Sequence, residues 1–359
     1  TPMLKQDSFR LDASASACES FMSSNMKIVS TVALSPEQKQ VIHSAAPGAE
    51  VADRRCRTRD EIADLVSHGC DVLLTFMMPN DITSSAKNLR WVQLLSAGAD
   101  HALAPLKSAS FPVTTASGIH ATPIAEYTIA SMLAFAHRFH LTIRSQLKRE
   151  WLRSGQFMSS VDELRGRTLG VIGYGSIGRE IARIAAALGM PVLALKRDPA
   201  SREDRGWCSD GLGDREGKIP QQFFGPAQCA AIMRESDCIA VTLPLTDHTR
   251  GFVGAQEIAA MRPHAYIVNI GRGEVIDEPA LIEALRTNRI GGAGLDVFEN
   301  EPLADTSPLW NLENVILTPH MSGANRGYMD KACNLFSENL RRFGSNKPLL
   351  NVVDPTLGY

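Results

Sequence analysis

The sequence predicts an α/β protein made of two domains, each organised on a parallel sheet. Three observations carry this. Short apolar and β-branched runs alternate with helical periodicity in two successive sets. A long apolar stretch free of Gly and Pro separates the sets, and a glycine-rich hexapeptide joins the first run of the second set to a helix. The length agrees, because 359 residues exceed one ordinary domain of about 100–200 residues.

In the first set, residues 28–33, 72–76, 91–95 and 113–115 read as strands with turn or helix material between them. The second set comprises residues 168–172, 192–195, 238–243, 265–270, 294–297 and 315–318. Its six runs are nearly continuous in apolar character, as suits strands buried on both faces. Residues 125–141 between the sets read as one mostly buried connecting helix, and residues 326–343 as another. That last helix is expected to return to the first domain, because it follows the sixth strand of a sheet already complete.

The 37 Lys and Arg nearly balance the 39 Asp and Glu, which argues against a field able to hold nucleic acid or an anionic membrane. Hydrophobic residues at 44% supply a core, and charged residues at 21% fit a globular rather than a disordered chain. No apolar run approaches the roughly 20 residues that a bilayer-spanning helix requires. Seven cysteines, Cys18, Cys56, Cys70, Cys208, Cys229, Cys238 and Cys333, are odd in number and scattered. They show no close pairing of the zinc or redox type, so free thiols, no metal and a reducing, cytoplasmic setting are expected. Residues 1–26 lack the basic start and apolar stretch of a secretory signal, and Asp7, Asp12 and Glu19 argue against a transit peptide. They read as a loose leader.

The strongest local signal is Gly173-Tyr174-Gly175-Ser176-Ile177-Gly178, directly after an apolar run and before Ile181, Ile184, Ala185 and Leu188 at helical spacing. Gly189 stands where that helix would be capped. A glycine hexapeptide alone is weak evidence, but strand and helix on its two sides make it a dinucleotide fingerprint. The first glycine permits the tight turn, the second lets backbone approach a pyrophosphate, and the third allows close helix and strand packing. The helix N-terminus offers amides and a positive dipole end to the phosphates. Both domains then read as Rossmann-like.

An acidic residue about 20 positions beyond the glycines would bind the ribose hydroxyls of NAD. Here Lys196 holds that place and Arg197 follows. Two cations pair with the extra phosphate of NADP through charge-assisted hydrogen bonds. NADP(H) is therefore the expected cofactor and NAD the alternative, with Asp198 the residue that speaks for the latter. Residues 201–228, irregular and glycine-rich, are long for a simple connection. They read either as a surface insertion or as a loop over the cofactor cleft.

In open α/β sheets, ligands bind outside the carboxyl ends of the strands. Three residues able to do chemistry follow strands there: Arg272 in Gly271-Arg272-Gly273, Glu301 before Pro302, and His320 after Thr318-Pro319. Each alone has a bland explanation as a solvated Arg, a surface turn or a structural His. Their shared edge favours a joint role.

At these residues the chain resembles the D-isomer-specific 2-hydroxyacid dehydrogenases. The resemblance runs from about Lys27 to Leu357-Gly358-Tyr359. It rests on the segment 93–100, the glycine fingerprint, Leu243-Pro244-Leu245-Thr246, Asn269-Ile270-Gly271-Arg272-Gly273, the segment 295–302 and Thr318-Pro319-His320. It implies a smaller, flavodoxin-like substrate domain, residues 27–122 and 321–359, into which a dinucleotide-binding domain, residues 123–320, is inserted. It also implies a homodimer through the helix 125–141.

Arg272 presents a planar fork suited to a carboxylate and the neighbouring carbonyl oxygen of a 2-keto acid. His320 can give a proton to that oxygen in reduction and take it back in oxidation, since imidazole titrates near neutrality. Glu301 is the candidate carboxylate favouring the charged imidazole. The resemblance assigns the same set. It further implies that Asp296, with a structural strand-end role as the alternative, helps place the nicotinamide carboxamide. The amides of Ser96, Ala97 and Gly98 hold the substrate carboxylate in the same reading. Leu243, Pro244, Thr249, Ile270, Gly271, Arg272, His320 and Gly323 border the cofactor. The expected reaction is reversible reduction of a 2-keto acid to a D-2-hydroxy acid. The rival reading is a weakly catalytic, partner-binding protein of the C-terminal binding protein corepressor type. Formate dehydrogenases place an amide beside the histidine, and Glu301 speaks against them. Met77, Met78, Trp310, Met321 and Tyr328 read either as an apolar substrate pocket or as core and interface.

Overall fold

The computed structural model describes residues 26–153 and 161–359. The leader expected over residues 1–26 lies outside the described residues apart from Met26. The first sheet is assembled from β1 (Lys27–Ser30), α1 (Pro36–Ala45), β2 (Glu50–Asp53), α2 (Arg59–Ser67), β3 (Val72–Thr75), α3 (Ile82–Ser85), β4 (Trp91–Leu94), α4 (Leu103–Leu106) and β5 (Val113–Thr114). Its strands are parallel in the order β2-β1-β3-β4-β5, the order of flavodoxin-like sheets. The sequence pattern missed β2, because this edge strand, Glu-Val-Ala-Asp, buries none of its residues fully and lacks an apolar run.

Two helices follow, α5 (Ala121–Ala136) and α6 (Phe139–Lys148). The single helix expected over residues 125–141 is thus corrected to two. The break falls at Arg138, whose φ of 57° is left-handed, and neither Gly nor Pro marks it. The second sheet then runs through β6 (Leu169–Ile172), α7 (Ser176–Ala187), β7 (Val192–Leu195), β8 (Gln222–Phe224), α8 (Cys229–Glu235), β9 (Cys238–Val241), α9 (Ala255–Ala260), β10 (Tyr266–Asn269), α10 (Glu278–Arg286), β11 (Gly292–Leu295) and β12 (Val315–Leu317). Its order is β12-β11-β10-β9-β6-β7-β8, all parallel. Seven strands stand where six were expected, the addition being the three-residue edge strand β8. The order reverses at β6, so a crevice opens between the ends of β6 and β9.

Alternate residues of the second sheet face two cores. One holds Ile172, Leu193, Ile239, Val241 and Ile267 under α8 to α10, and the other holds Val171, Ala194, Ala240 and Val268 under α5 and α7. The last helix, α11 (Tyr328–Gly344), packs beside α1 on the first sheet. Trp91, fully buried, anchors it: its ring lies 5.1 Å from Phe336 and 5.6 Å from Phe343, and its Nε1 donates to Thr114 Oγ1 at 2.8 Å. Truncating such an aromatic to Ala costs about 3–5 kcal/mol. Among the described residues no helix is long and apolar enough to cross a membrane.

Candidate active site

The turn after β6 is built for close approach. Gly173 has φ of +106°, and a Cβ there would come within 2.7 Å of Thr242 Oγ1, so the position admits only glycine without strain. Gly175 precedes α7, and no side chain caps that helix. The first-turn amides therefore lack a side-chain partner at the crevice, which fits the pyrophosphate of a dinucleotide. Ser176 opens α7, with its Oγ 3.3 Å from Ser117 Oγ, and Gly178 packs the helix onto Gly173. Two of the expected cofactor residues offer only backbone. Tyr174 is buried with its hydroxyl donating to Asp214 Oδ2 at 2.7 Å, and Ile177 packs against the core.

At the end of β7, Lys196 Nζ donates to Ser201 O. Burial, and then the charge of Arg179, lower the Lys196 pKa from its ordinary value. Arg197 is exposed, with its guanidinium 5.4 Å above the Tyr359 ring. Asp198 turns back on its own loop, where Oδ1 accepts from Ala200 N at 3.0 Å. Beyond β9, Leu243 lies against Gly271, and a loop from Pro244 is closed by Thr249 Oγ1 donating to Pro244 O at 2.6 Å. Ile270 is buried, and Gly323 lies against His120 and Ile124.

The segment 201–228 is neither a detached insertion nor loop throughout. Its last part is β8, and its first part is strapped onto α7. Asp214 Oδ1 and Oδ2 accept from Lys218 N at 2.9 Å and Ile219 N at 3.0 Å. The buried Arg179 donates to Asp214 O, and to Arg202 O at 2.6 Å. Trp207 crosses to the first sheet, where its N–H donates to Asn351 Oδ1 at 3.0 Å and its backbone covers Gly118.

Arg272, Glu301 and His320 follow β10, β11 and β12, three neighbouring strands. At about 4.8 Å per strand the three segments share one edge within roughly 10 Å. His320 Nδ1 lies 2.7 Å from Glu301 Oε2, while Glu301 Oε1 accepts from Phe298 N at 3.1 Å. His320 takes φ of 50°, a conformation that persists at functional sites when its surroundings enforce it. Asp296 supplies the enforcement. Fully buried, it accepts from Thr318 Oγ1 at 2.6 Å, Met321 N at 2.9 Å and Ser322 N at 2.8 Å, and its carbonyl accepts from His320 N at 2.8 Å. The strand-end role weighed for Asp296 is therefore real.

Arg272 also meets the first sheet. Its guanidinium pairs with Asp100, and Gly98 sits so close that a Cβ there would come within 3.0 Å of Nη2. Ser96, Ala97 and Gly98 are thus brought beside Arg272, with Ser96 Oγ donating to Gly98 O at 2.8 Å. Sequence reasoning passed over Asp100 and His120. Of the apolar candidates, Met78 is core and lies fully buried. Tyr328 donates its hydroxyl to Leu95 O and stacks 5.9 Å from Phe76, whereas Trp310 and Met321 are exposed.

Residues 129–322 match the family model described as D-isomer specific 2-hydroxyacid dehydrogenase, NAD binding domain, which is more than half of the chain. The chain belongs to the D-isomer-specific 2-hydroxyacid dehydrogenase family. It is 35% identical to a glyoxylate reductase of Aeropyrum pernix over 79% of this chain and 81% of that protein. Solved structures agree. The NADPH-dependent glyoxylate/hydroxypyruvate reductase of Sinorhizobium meliloti, in complex with NADP and sulfate, superposes with a TM-score of 0.73 at 26% identity, covering 93% of this chain and 100% of that one. A D-isomer specific 2-hydroxyacid dehydrogenase of Xanthobacter autotrophicus Py2, in complex with NADPH and MES, gives 0.73 at 29% identity over 93% and 99% of the two chains. As a family member the chain is a 2-hydroxyacid dehydrogenase or reductase that uses a nicotinamide dinucleotide. These relatives are named as reductases and dehydrogenases, and the corepressor reading has no support.

Proposed function

We propose that the chain reduces a 2-keto acid to its D-2-hydroxy acid with NADPH. The observation that carries this is the 2.7 Å contact of His320 with Glu301, on the sheet edge that also bears Arg272. A dinucleotide held on the glycine turn would supply the hydride that the carbonyl carbon takes up. Arg272 and the amides of Ser96, Ala97 and Gly98 hold the carboxylate, and the Arg272 fork polarises the carbonyl oxygen. Glu301 accepts from Nδ1–H, which leaves the proton on Nε2 of His320 for that oxygen. In oxidation the neutral ring takes it back.

Asp296 acts by fixing the turn that carries His320, beside the nicotinamide. The glycine turn, bordered by Leu243, Pro244, Thr249, Ile270, Gly271 and Gly323, would hold the phosphates of the dinucleotide, and Lys196 and Arg197 would hold the 2′-phosphate. The local turn that engages Asp198 supports NADP(H) over NAD, as do the two NADP-bound relatives. The chain then divides as its sequence suggests, into a substrate domain of residues 27–122 and 321–359 around a nucleotide domain of residues 123–320. The exposed apolar residues of α6 support a homodimer.

Steady-state kinetics on glyoxylate, pyruvate, hydroxypyruvate and branched or aromatic keto acids test the reading. Turnover is expected, with kcat/KM higher for NADPH than for NADH; the reverse order overturns the preference. His320→Ala and Arg272→Ala each lower kcat/KM by about 10²-fold or more, while NADPH binding stays near wild type. A near wild-type rate in the His320 variant refutes its role. Glu301→Gln lowers kcat/KM for reduction, because the carboxylate in contact with His320 Nδ1 is gone.

A further inference from the structure

We propose that Asp100 is a positioning residue for the reaction: it reaches across from the first sheet and aims Arg272 at the substrate carboxylate, an inference that rests on the substrate role given to Arg272 above. Asp100 sits six residues beyond the end of β4, and Arg272 three beyond the end of β10, so the pair joins the two sheets. Asp100 Oδ2 accepts from Arg272 Nε at 3.4 Å and Oδ1 from Nη2 at 3.0 Å, while Nη1 donates to Gly271 O at 2.8 Å.

A guanidinium has five N–H donors in a rigid plane. Three are engaged here, Nε–H and one N–H of Nη2 by Asp100 and one N–H of Nη1 by Gly271 O. Each terminal nitrogen keeps one N–H, and these two can serve as the fork that matches a carboxylate. Asp100 and Gly271 therefore select one orientation from the many rotamers of a long side chain, whose freedom is otherwise lost when the ligand binds.

The same pairing explains a glycine. A Cβ on residue 98 would lie 2.8 Å from Asp100 Oδ1 and 3.0 Å from Arg272 Nη2, so a larger residue there would push the carboxylate or the guanidinium out of its present place. Burial pushes the Asp100 carboxyl up, but the charge and hydrogen bonds of Arg272 more than offset this and leave it below the usual carboxylate range. Near neutral pH the pair is intact. Because its halves come from different sheets, separating the sheets releases Arg272, so the anchor is aimed only when the cleft is closed.

The test uses the full chain with NADPH and two probes: glyoxylate for turnover, and oxamate, an unreactive isostere of a 2-keto acid, for binding by calorimetry. Asp100→Ala and the isosteric Asp100→Asn are expected to raise the glyoxylate KM and the oxamate Kd by roughly 10- to 100-fold, the scale of a misplaced binding group. NADPH affinity and the pH profile of kcat stay unchanged. In an Arg272→Ala background, Asp100→Ala should add less than about 2-fold, since the two side chains act as one unit. Wild-type KM and oxamate affinity in both Asp100 variants, or full additivity with Arg272→Ala, overturns the proposal. Failure of the unmodified chain to reduce any keto acid or to bind oxamate overturns the functional reading and this inference with it.

Discussion

At the scale of single residues, His120 shows what burial does to a titratable group. Its ring meets Tyr328 edge-on at 5.1 Å, and its Nδ1 is buried with no hydrogen-bond partner among the described residues. Burial, opposed by the Ala116 backbone and assisted by the charges of Lys331 and Arg272, pushes its pKa down to about 4. The unfolded chain binds this proton from about pH 6.5 downward while the folded chain does not, so stability is full above that pH and is lost as pH falls toward 4. The loss approaches roughly 3 kcal/mol at its limit. His120→Asn should therefore show a shallower fall in Tm between pH 7 and pH 4.5; an equal slope would sink this account. Arg272, Glu301 and His320 were legible in the sequence because each stands within a few residues of the end of an apolar run. Asp100 was not read, because its partner lies 172 positions away, and His120 was not read, because burial by another element leaves no mark on its neighbours in sequence.

At the scale of elements, the strands with apolar runs were readable, the edge strands β5 and β12 among them, and the edge strands β2 and β8 were not. β2 is charged at both ends and β8 follows an irregular segment, so neither shows a periodicity to detect. The α5 to α6 break was hidden because Arg138 carries the left-handed turn in place of a glycine. The strap is likewise decided by tertiary contacts. Asp214 gathers the Tyr174 hydroxyl and two backbone amides on one buried carboxylate. Asp214→Ala leaves these donors without a partner, at about 1–3 kcal/mol for each buried one. Tm should fall, and limited trypsin digestion should cut first at Arg202, Arg205, Arg215 or Lys218. Cleavage elsewhere first would show that Asp214 does not hold the strap.

At the scale of the whole molecule, α6 is fastened on one side and bare on the other. Arg144 donates to Leu312 O at 3.0 Å, tying the helix to the second sheet. Phe139, Ile143 and Leu147 recur every fourth residue of α6 and are exposed, and Trp151, beyond the left-handed Arg149 that ends the helix, is exposed at 93%. Such an exposed apolar row is what the proposed homodimer would cover. Light scattering should report a dimer, and Ile143→Glu with Leu147→Glu should shift it to a monomer; a monomeric wild type would overturn the homodimer reading. The two-sheet plan was readable from the sequence because alternation and the glycine turn are local. How the sheets face each other was not, since it depends on pairs such as Asp100 with Arg272 and Trp207 with Asn351. Among the described residues, and apart from the strap that reaches across at Trp207, the chain passes from the first sheet to the second before α5 and returns before α11. Arg272, Glu301 and His320 all lie between those crossings, whereas Ser96, Ala97 and Gly98 lie outside them. Recombining this chain with a relative at two seams would therefore exchange the lobe that carries Ser96, Ala97 and Gly98 as a cassette and leave Glu301 and His320 together.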